Sequence, residues 1–269
     1  MTKHKIKMIV TDLDGTLLRS DKTISKRSKA VLNKCRERGI KVVYATARGG
    51  TAIKLASSQY FDGRVVCNGS LAYLGDTEVY KRQIPYQIIR SLLTGCDRRG
   101  LKVTSEAGNI HYSNFIVTDI WPIVTNYEVA DFSTFALDAQ KLCIIFRDQE
   151  DIEFISKYLT EELYLYLSRD DIAMVMHRDA VKSKAVAALA QIWGINMSEV
   201  VAFGDDLNDV DMLKAAGTSV AMENAIDEVK AVSDLVCLGN DQDGVAEWLE
   251  RNVLQSDNPN NYKKVKCNQ

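Results

Sequence analysis

The stretch Lys5-Ile6-Lys7-Met8-Ile9-Val10-Thr11-Asp12-Leu13-Asp14-Gly15-Thr16-Leu17 decides the fold. Lys5 to Thr11 predicts a short buried strand, because the apolar run is too brief for a core helix and stops at Asp12. Two carboxylates, Asp12 and Asp14, then follow two residues apart. In an open parallel sheet, ligands bind beyond the carboxyl ends of strands. Like charges gathered there repel one another unless a bound cation removes the cost. Gly15 permits a tight turn that leaves both side chains near one centre. Alone, such a pair is usually a solvated turn, so its meaning depends on what else reaches the same edge.

Outward from this strand, Ser25 to Arg38 carries Ala30, Val31, Lys34 and Cys35 at helical spacing, and Gly39 stops it. Lys41 to Thr46 predicts a second strand, Thr51 to Tyr60 a helix, and Val65 to Cys67 a third strand ending at Asn68-Gly69. Strands and helices in alternation imply a parallel sheet with right-handed crossovers. The rhythm returns late, with a helix over Lys184 to Trp193, a strand over Val200 to Phe203 and a helix over Asp209 to Ala216. Strands at Thr218 to Ala221 and Leu235 to Cys237 follow, then a closing helix over Val245 to Leu254. Between them lie two helices, Pro85 to Arg98 and Gln149 to Glu161, and short strands at Lys102 to Ser105, Leu142 to Arg147, Tyr164 to Ser168 and Ile172 to His177. Turn signals at Ala107-Gly108-Asn109 and Arg169-Asp170-Asp171 make these strands antiparallel hairpins. The expectation is an α/β protein: a Rossmann-like parallel-sheet core of residues 1–82 and 179–269, with an inserted α+β domain at 83–178.

A second acidic motif, Gly204-Asp205-Asp206-Leu207-Asn208-Asp209, follows the Val200 to Phe203 strand. It too sits at a carboxyl end, so both clusters can converge. Magnesium favours hard oxygen ligands and keeps several waters, a demand that carboxylates plus a phosphate oxygen would meet. Thr46-Ala47-Arg48 ends the second strand and Lys182 opens a late helix. A hydroxyl, free backbone N–H groups and an ammonium are the donors a phosphate needs. The sum is a nucleophile, a metal site and a phosphate cradle.

With D-x-D-G-T and G-D-x-x-N-D in this order after strands, the chain resembles the haloacid-dehalogenase-like phosphatases. It is most similar to the Cof-like hydrolases, whose α/β cap is inserted after the third core strand (type IIB). The resemblance implies that Asp12 attacks phosphorus and forms an aspartyl phosphate. It implies that Asp14 protonates the leaving oxygen, then activates water, and offers its backbone carbonyl to Mg2+. Asp12 and Asp205 would supply the carboxylate ligands. Thr46, with the N–H groups of Leu13 and Ala47, would hold the phosphate. Lys182 would offset charge on Asp12 and phosphate, Asn208 would contact the phosphate, and Asp209 would orient Lys182 or nearby waters. The cap would select the substrate. Two positions depart from the family pattern: Ala47 and Ser183 stand where glycines are usual. The second leaves Lys184 as an alternative to Lys182.

Composition bounds the rest. The chain has 269 residues, 46% hydrophobic, with formal net charge -2, which argues against nucleic acid or an anionic membrane as partner. No segment reaches the roughly 18 apolar residues of a membrane span, and the N-terminal apolar run is too short for a secretory signal. Six cysteines without a C-x-x-C pair fit buried thiols in a reducing, cytoplasmic setting. His111 and His177 read as hairpin surface residues, and Asp206 and Asp211 as solvated or capping groups. The leading function is Mg2+-dependent hydrolysis of small phosphorylated metabolites such as sugar phosphates. A phosphosugar mutase of the same superfamily and a non-catalytic phosphometabolite sensor are the alternatives. A P-loop enzyme is disfavoured, because G-x-x-x-x-G-K-[ST] does not occur.

Overall fold

The computed structural model describes residues 5–168 and 171–255. The turn at Arg169-Asp170, the polar tail after Gln255 and Cys267 lie outside the described residues. In chain order the strands are β1 Met8–Thr11, β2 Lys41–Ala45, β3 Gly63–Val66, β4 Leu71–Leu74, β5 Thr77–Lys81, β6 Lys102–Ala107 and β7 Ile110–Ser113. After them come β8 Tyr127–Val129, β9 Lys141–Ile145, β10 Leu163–Leu167, β11 Ile172–His177, β12 Val200–Gly204, β13 Thr218–Met222 and β14 Leu235–Cys237. The helices are α1 Lys26–Glu37, α2 Ala52–Leu55, α3 Tyr86–Arg98, α4 Gln149–Ser156, α5 Lys182–Ile192, α6 Val210–Ala215, α7 Asp227–Val232 and α8 Gly244–Leu249. The chain forms two compact units. The first runs to Val43, adds Gln59–Phe61 and resumes at Ile195; the second takes Tyr44–Ser58 and Asp62–Gly194.

The first unit is built on parallel strands in the order β14-β13-β12-β1-β2. Met8 pairs with Val200 and Thr11 with Phe203, so β1 and β12 run side by side and end together. Every residue of both strands is buried. That follows from unbroken apolar runs, which suit a parallel sheet covered on two faces rather than an alternating strand. Helix α1 buries Ser28, Val31, Leu32 and Cys35, a stripe at three- and four-residue spacing. The Ser25 side chain caps it by accepting from the Ser28 N–H, and Gly39, at φ +78°, ends it. Phe203 packs edge-on against Trp248 with ring centres 5.3 Å apart.

The second unit holds β3, β4 and β5, each antiparallel to the next, and a six-stranded sheet in the order β10-β11-β9-β6-β7-β8. The pairings of that sheet are antiparallel except β7 with β8. Its core joins Ile89, Leu92, Leu93 and Cys96 of α3 to Val103, Leu142, Ile144 and Val175 on the strands.

Several elements differ from the sequence expectation. The helix expected over Thr51 to Tyr60 is only α2 plus a 3-10 turn at Ser58–Tyr60, with Ala56 extended between them at φ -118° and ψ 90°. Ser57 and Ser58 are poor helix continuers, because their hydroxyls compete for the backbone. The helix expected to reach Glu161 ends at Ser156, whose hydroxyl donates back to the Ile152 carbonyl at 2.7 Å. After α8 the coil widens to a π-helix over Glu250–Leu254. The β4–β5 hairpin carries no alternation strong enough to announce it. Among the described residues, no helix is long and apolar enough to cross a membrane.

Candidate active site

The carboxyl ends of β1 and β12 position the acidic motifs. The Asp12 N–H donates to the Phe203 carbonyl at 3.0 Å, continuing the β1–β12 ladder by one residue. The Asp12 carbonyl accepts from the Thr11 hydroxyl at 2.8 Å. Asp12 is buried, at 5% exposure. Carboxylate oxygens of Asp12, Asp205 and Asp209 all lie within 4.8 Å of one another. Three acidic groups so crowded, one after β1 and two on the turn after β12, carry a large mutual repulsion that a cation would relieve.

The backbone supports this crowding. Gly15 has φ +79°, and a Cβ there would stand 2.2 Å from Asp205 Oδ2. Only glycine tolerates both the left-handed backbone and that approach. The Thr16 hydroxyl donates to Asp205 Oδ1 at 2.7 Å, and the Asn224 amide donates to the Gly15 carbonyl, also at 2.7 Å. Asp209 Oδ2 accepts from the N–H groups of Asp205 and Asp206 at 2.9 and 3.1 Å. Gly204 again leaves the necessary room, since a Cβ would lie 2.5 Å from the Asp209 Cβ. Asp209 therefore shapes the turn while adding a carboxylate to the cluster. Asp206 caps the following 3-10 turn, its carboxylate accepting from the Leu207 N–H. Asn208 sits half-buried within that turn.

Asp14 behaves differently. Its carboxylate is not part of the three-residue cluster; instead Oδ1 accepts from Lys22 Nζ at 2.8 Å in a half-exposed ion pair. Leu13, fully buried, lies between the two carboxylates. An alternation in which Asp12 and Asp14 face differently, with a half-exposed Asp14, gives two like groups two environments.

The second unit places Thr46, Ala47 and Lys182. The Thr46 N–H donates to the Val65 carbonyl and its carbonyl accepts from the Asn68 N–H, so the turn after β2 is pinned on both sides. The buried Thr46 hydroxyl accepts from the Arg48 N–H at 3.2 Å. Ala47 is half-buried. Lys182 opens α5 and is 1% exposed, unusual for a lysine. Gly69, at φ +98°, makes this possible: a Cβ there would lie 2.3 Å from the Val181 carbonyl oxygen. Lys184 is half-exposed and paired with Asp179. The buried position thus belongs to Lys182. Ser183 is half-buried within the first turn of the helix.

Thr16, Lys22 and Asn224 were not singled out in the sequence. Thr16 belongs to the D-x-D-G-T motif, which marks it in the sequence. Nothing local marks Lys22, and Asn224 is brought to Gly15 from 209 residues away. His111 is also not a surface residue: burial lowers its pKa, and its Nε2 lies 3.6 Å from Glu106 Oε1.

The profile of haloacid dehalogenase-like hydrolases matches residues 9–249. The chain belongs to that family. Among its relatives, a putative phosphatase of Haemophilus influenzae is 32% identical over 91% of this chain and 97% of its own. The pyridoxal phosphate phosphatase of Escherichia coli is 28% identical over 92% of this chain and 99% of its own. A solved structure of a haloalkanoate-superfamily phosphatase from Bacteroides thetaiotaomicron superposes with a TM-score of 0.80 at 29% identity, covering 93% of this chain and 96% of that one. The hydrolase is an enzyme of the phosphatase class, with an α/β core sheet that is mainly parallel.

Proposed function

We propose that this hydrolase cleaves small phosphorylated metabolites, sugar phosphates or similar monoesters, through an aspartyl phosphate on Asp12. The observation that carries the reading is the convergence of Asp12, Asp205 and Asp209 within 4.8 Å where the parallel strands β1 and β12 end. The E. coli relative, a pyridoxal phosphate phosphatase, supports a small phosphomonoester as substrate.

The donor set fits magnesium: all three groups offer hard oxygen, and neither nitrogen nor sulfur joins them. Asp12 and Asp205 would hold it, with Asp209 beside them and the Asp14 carbonyl as a further oxygen. The ion would neutralise phosphoryl charge. Asp12 Oδ attacks phosphorus, and the bond from phosphorus to the ester oxygen breaks. Asp14 delivers a proton to that oxygen, then takes one from the water that hydrolyses the aspartyl phosphate. Splitting hydrolysis into two displacements is the gain from covalent catalysis. Thr46, the N–H groups of Leu13 and Ala47, Lys182 and Asn208 hold the phosphoryl oxygens, since phosphoryl transfer is mainly positioning and charge neutralisation.

In this reading residues 83–178 form a cap that excludes water and selects the leaving group. The buried free thiols of Cys35, Cys67, Cys96 and Cys237 support a reducing compartment, the cytoplasm. The test is Asp12→Asn, nearly isosteric and a far weaker nucleophile. Phosphate release from a metabolite panel in magnesium should fall at least about a thousandfold with the circular dichroism unchanged. Activity within tenfold of the parent would refute the nucleophile.

A further inference from the structure

A charged cluster in the second unit has no part in the chemistry above, yet it ends on the turn that carries Thr46. Lys141 opens β9 and Glu106 lies near the end of β6, opposite it in the pairing of those strands. Both side chains are almost fully buried, and Lys141 Nζ lies 3.3 Å from Glu106 Oε2. His111 approaches the other carboxylate oxygen at 3.6 Å. Burial pushes the Lys141 ammonium toward losing its proton, but Glu106 beside it outweighs that and raises its pKa. Burial likewise opposes ionisation of Glu106, and Lys141 and His111 outweigh it, so its pKa is lowered. The pair is charged.

The pair reaches the turn after β2 at two points. Lys141 Nζ donates to the Ala47 carbonyl at 2.7 Å. Glu106 lies flat against Gly49, where a Cβ would be 1.5 Å from Oε1, so only glycine admits the carboxylate. The Ala47 carbonyl and the Arg48 N–H belong to one rigid peptide plane and point in opposite directions. Fixing the carbonyl therefore aims the N–H. That N–H donates to the Thr46 hydroxyl oxygen at 3.2 Å. A hydroxyl that already accepts on one side turns its own proton away from that donor, ready to give it to another acceptor.

We propose that Lys141, held in place by Glu106, is a positioning residue for the phosphoryl site, setting the Thr46 hydroxyl as a donor through the Ala47–Arg48 peptide. This rests on the reading that Thr46 binds a phosphoryl oxygen. A carbonyl held by a buried ammonium also makes the peptide N–H a stronger donor, because hydrogen bonds in a chain polarise one another. The β6–β9 ladder thereby tightens the grip on phosphate without touching it.

A double-mutant cycle tests this on the full-length enzyme with magnesium. Inorganic phosphate is the probe, as a competitive inhibitor of p-nitrophenyl phosphate hydrolysis, with thermal melts alongside. Thr46→Ala and Lys141→Met should each weaken phosphate inhibition by about tenfold, and the double variant by little more than either one. A merely structural Lys141 would lower the melting temperature and the active fraction but leave the inhibition constant of the active molecules unchanged, which overturns the proposal. Effects that multiply in the double variant overturn it as well. If Thr46→Ala alone leaves phosphate inhibition intact, Thr46 does not bind phosphate; that outcome removes the reading beneath the proposal and the proposal with it. Should Lys141→Met melt below the assay temperature, Lys141→Arg replaces it in the cycle. Arginine keeps the charge but not the single short bond; coupling to Thr46→Ala of at least about threefold supports the proposal, and strict additivity overturns it.

Discussion

One cluster in the first unit and two in the second gather charge in opposite ways. In the first, Asp12, Asp205 and Asp209 gather charge of one sign within 4.8 Å. In the second, buried carboxylates are matched by cations: Glu106 by Lys141, and Asp151 by Arg99 and Arg147 at 2.7 and 2.8 Å. A matched pair offsets its own desolvation, so its presence says little about function. A same-sign cluster is kept at a cost to folding, and groups so arranged are candidates for chemistry. The contrast separates a site from scaffold without any reference to motif.

That contrast can be broken by removing one charge from each kind. Asp205→Asn should lower magnesium-supported phosphate release by about a hundredfold or more while raising the melting temperature of the metal-free protein, because one repulsive partner is gone. A metal-free protein that melts earlier than the parent would show that the cluster is held together by something other than a cation. Magnesium should raise the melting point of the parent and do so much less for this variant, measured by calorimetry at fixed ion concentration.

Asp151→Asn should do the reverse. It leaves activity on a simple activated ester intact but costs about 2–3 kcal/mol of stability, since Asp151 accepts three side-chain bonds from two arginines. Hydrogen bonds from Arg147, then Arg99, hold its carboxyl well below the usual range against an opposing effect of burial. A native pKa below the unfolded value stabilises above the unfolded pKa, and that stabilisation is lost as pH falls through the native one. Parent and variant should therefore keep their gap through mild acid and converge only below the ordinary carboxylate range, as urea midpoints against pH would show.

The smallest effect sets the neutral scale. Ser25→Ala removes the cap of α1 and should cost about 1 kcal/mol, with no dependence on magnesium and none on pH in the carboxylate range. A magnesium dependence here would mean that the metal responds to the first unit as a whole rather than to its cluster.

Much of the first unit was legible because its signals are local. The β1 and β12 runs end on Asp12 and Asp205, and an apolar stretch halted by acid needs no partner to be read. Lys182 is marked by its place at a helix start, and it is the buried one of the two lysines, Lys184 being paired with Asp179. What stayed hidden depends on distant chain. Asn224 reaches Gly15 only once both turns are built. Asp209 Oδ2 accepts from two backbone N–H groups, which folds its carboxylate back toward the start of its own turn, a geometry no spacing reveals. The β4–β5 hairpin is hard to read because burial runs in blocks: Leu71 and Ala72 are buried together, Thr77 and Glu78 are exposed together and Val79 and Tyr80 are both half-buried, which blurs the period-two pattern. His111 looked like a surface residue until Glu106, opposite it across the β6–β7 pair, proved to be buried.

The close approach of Gly69 to the start of α5 joins two points more than a hundred residues apart. The chain between them brings its own ends together, for the Tyr80 hydroxyl donates to the Asp179 carbonyl at 3.0 Å. The backbone at the start of α5 packs against Gly69 where those ends meet. Loop closure grows only logarithmically with length, so doubling the intervening chain adds about 0.6 kcal/mol. The segment can accordingly be lengthened, shortened or exchanged at small entropic expense, provided its ends still meet, and the lysine stays where the helix begins.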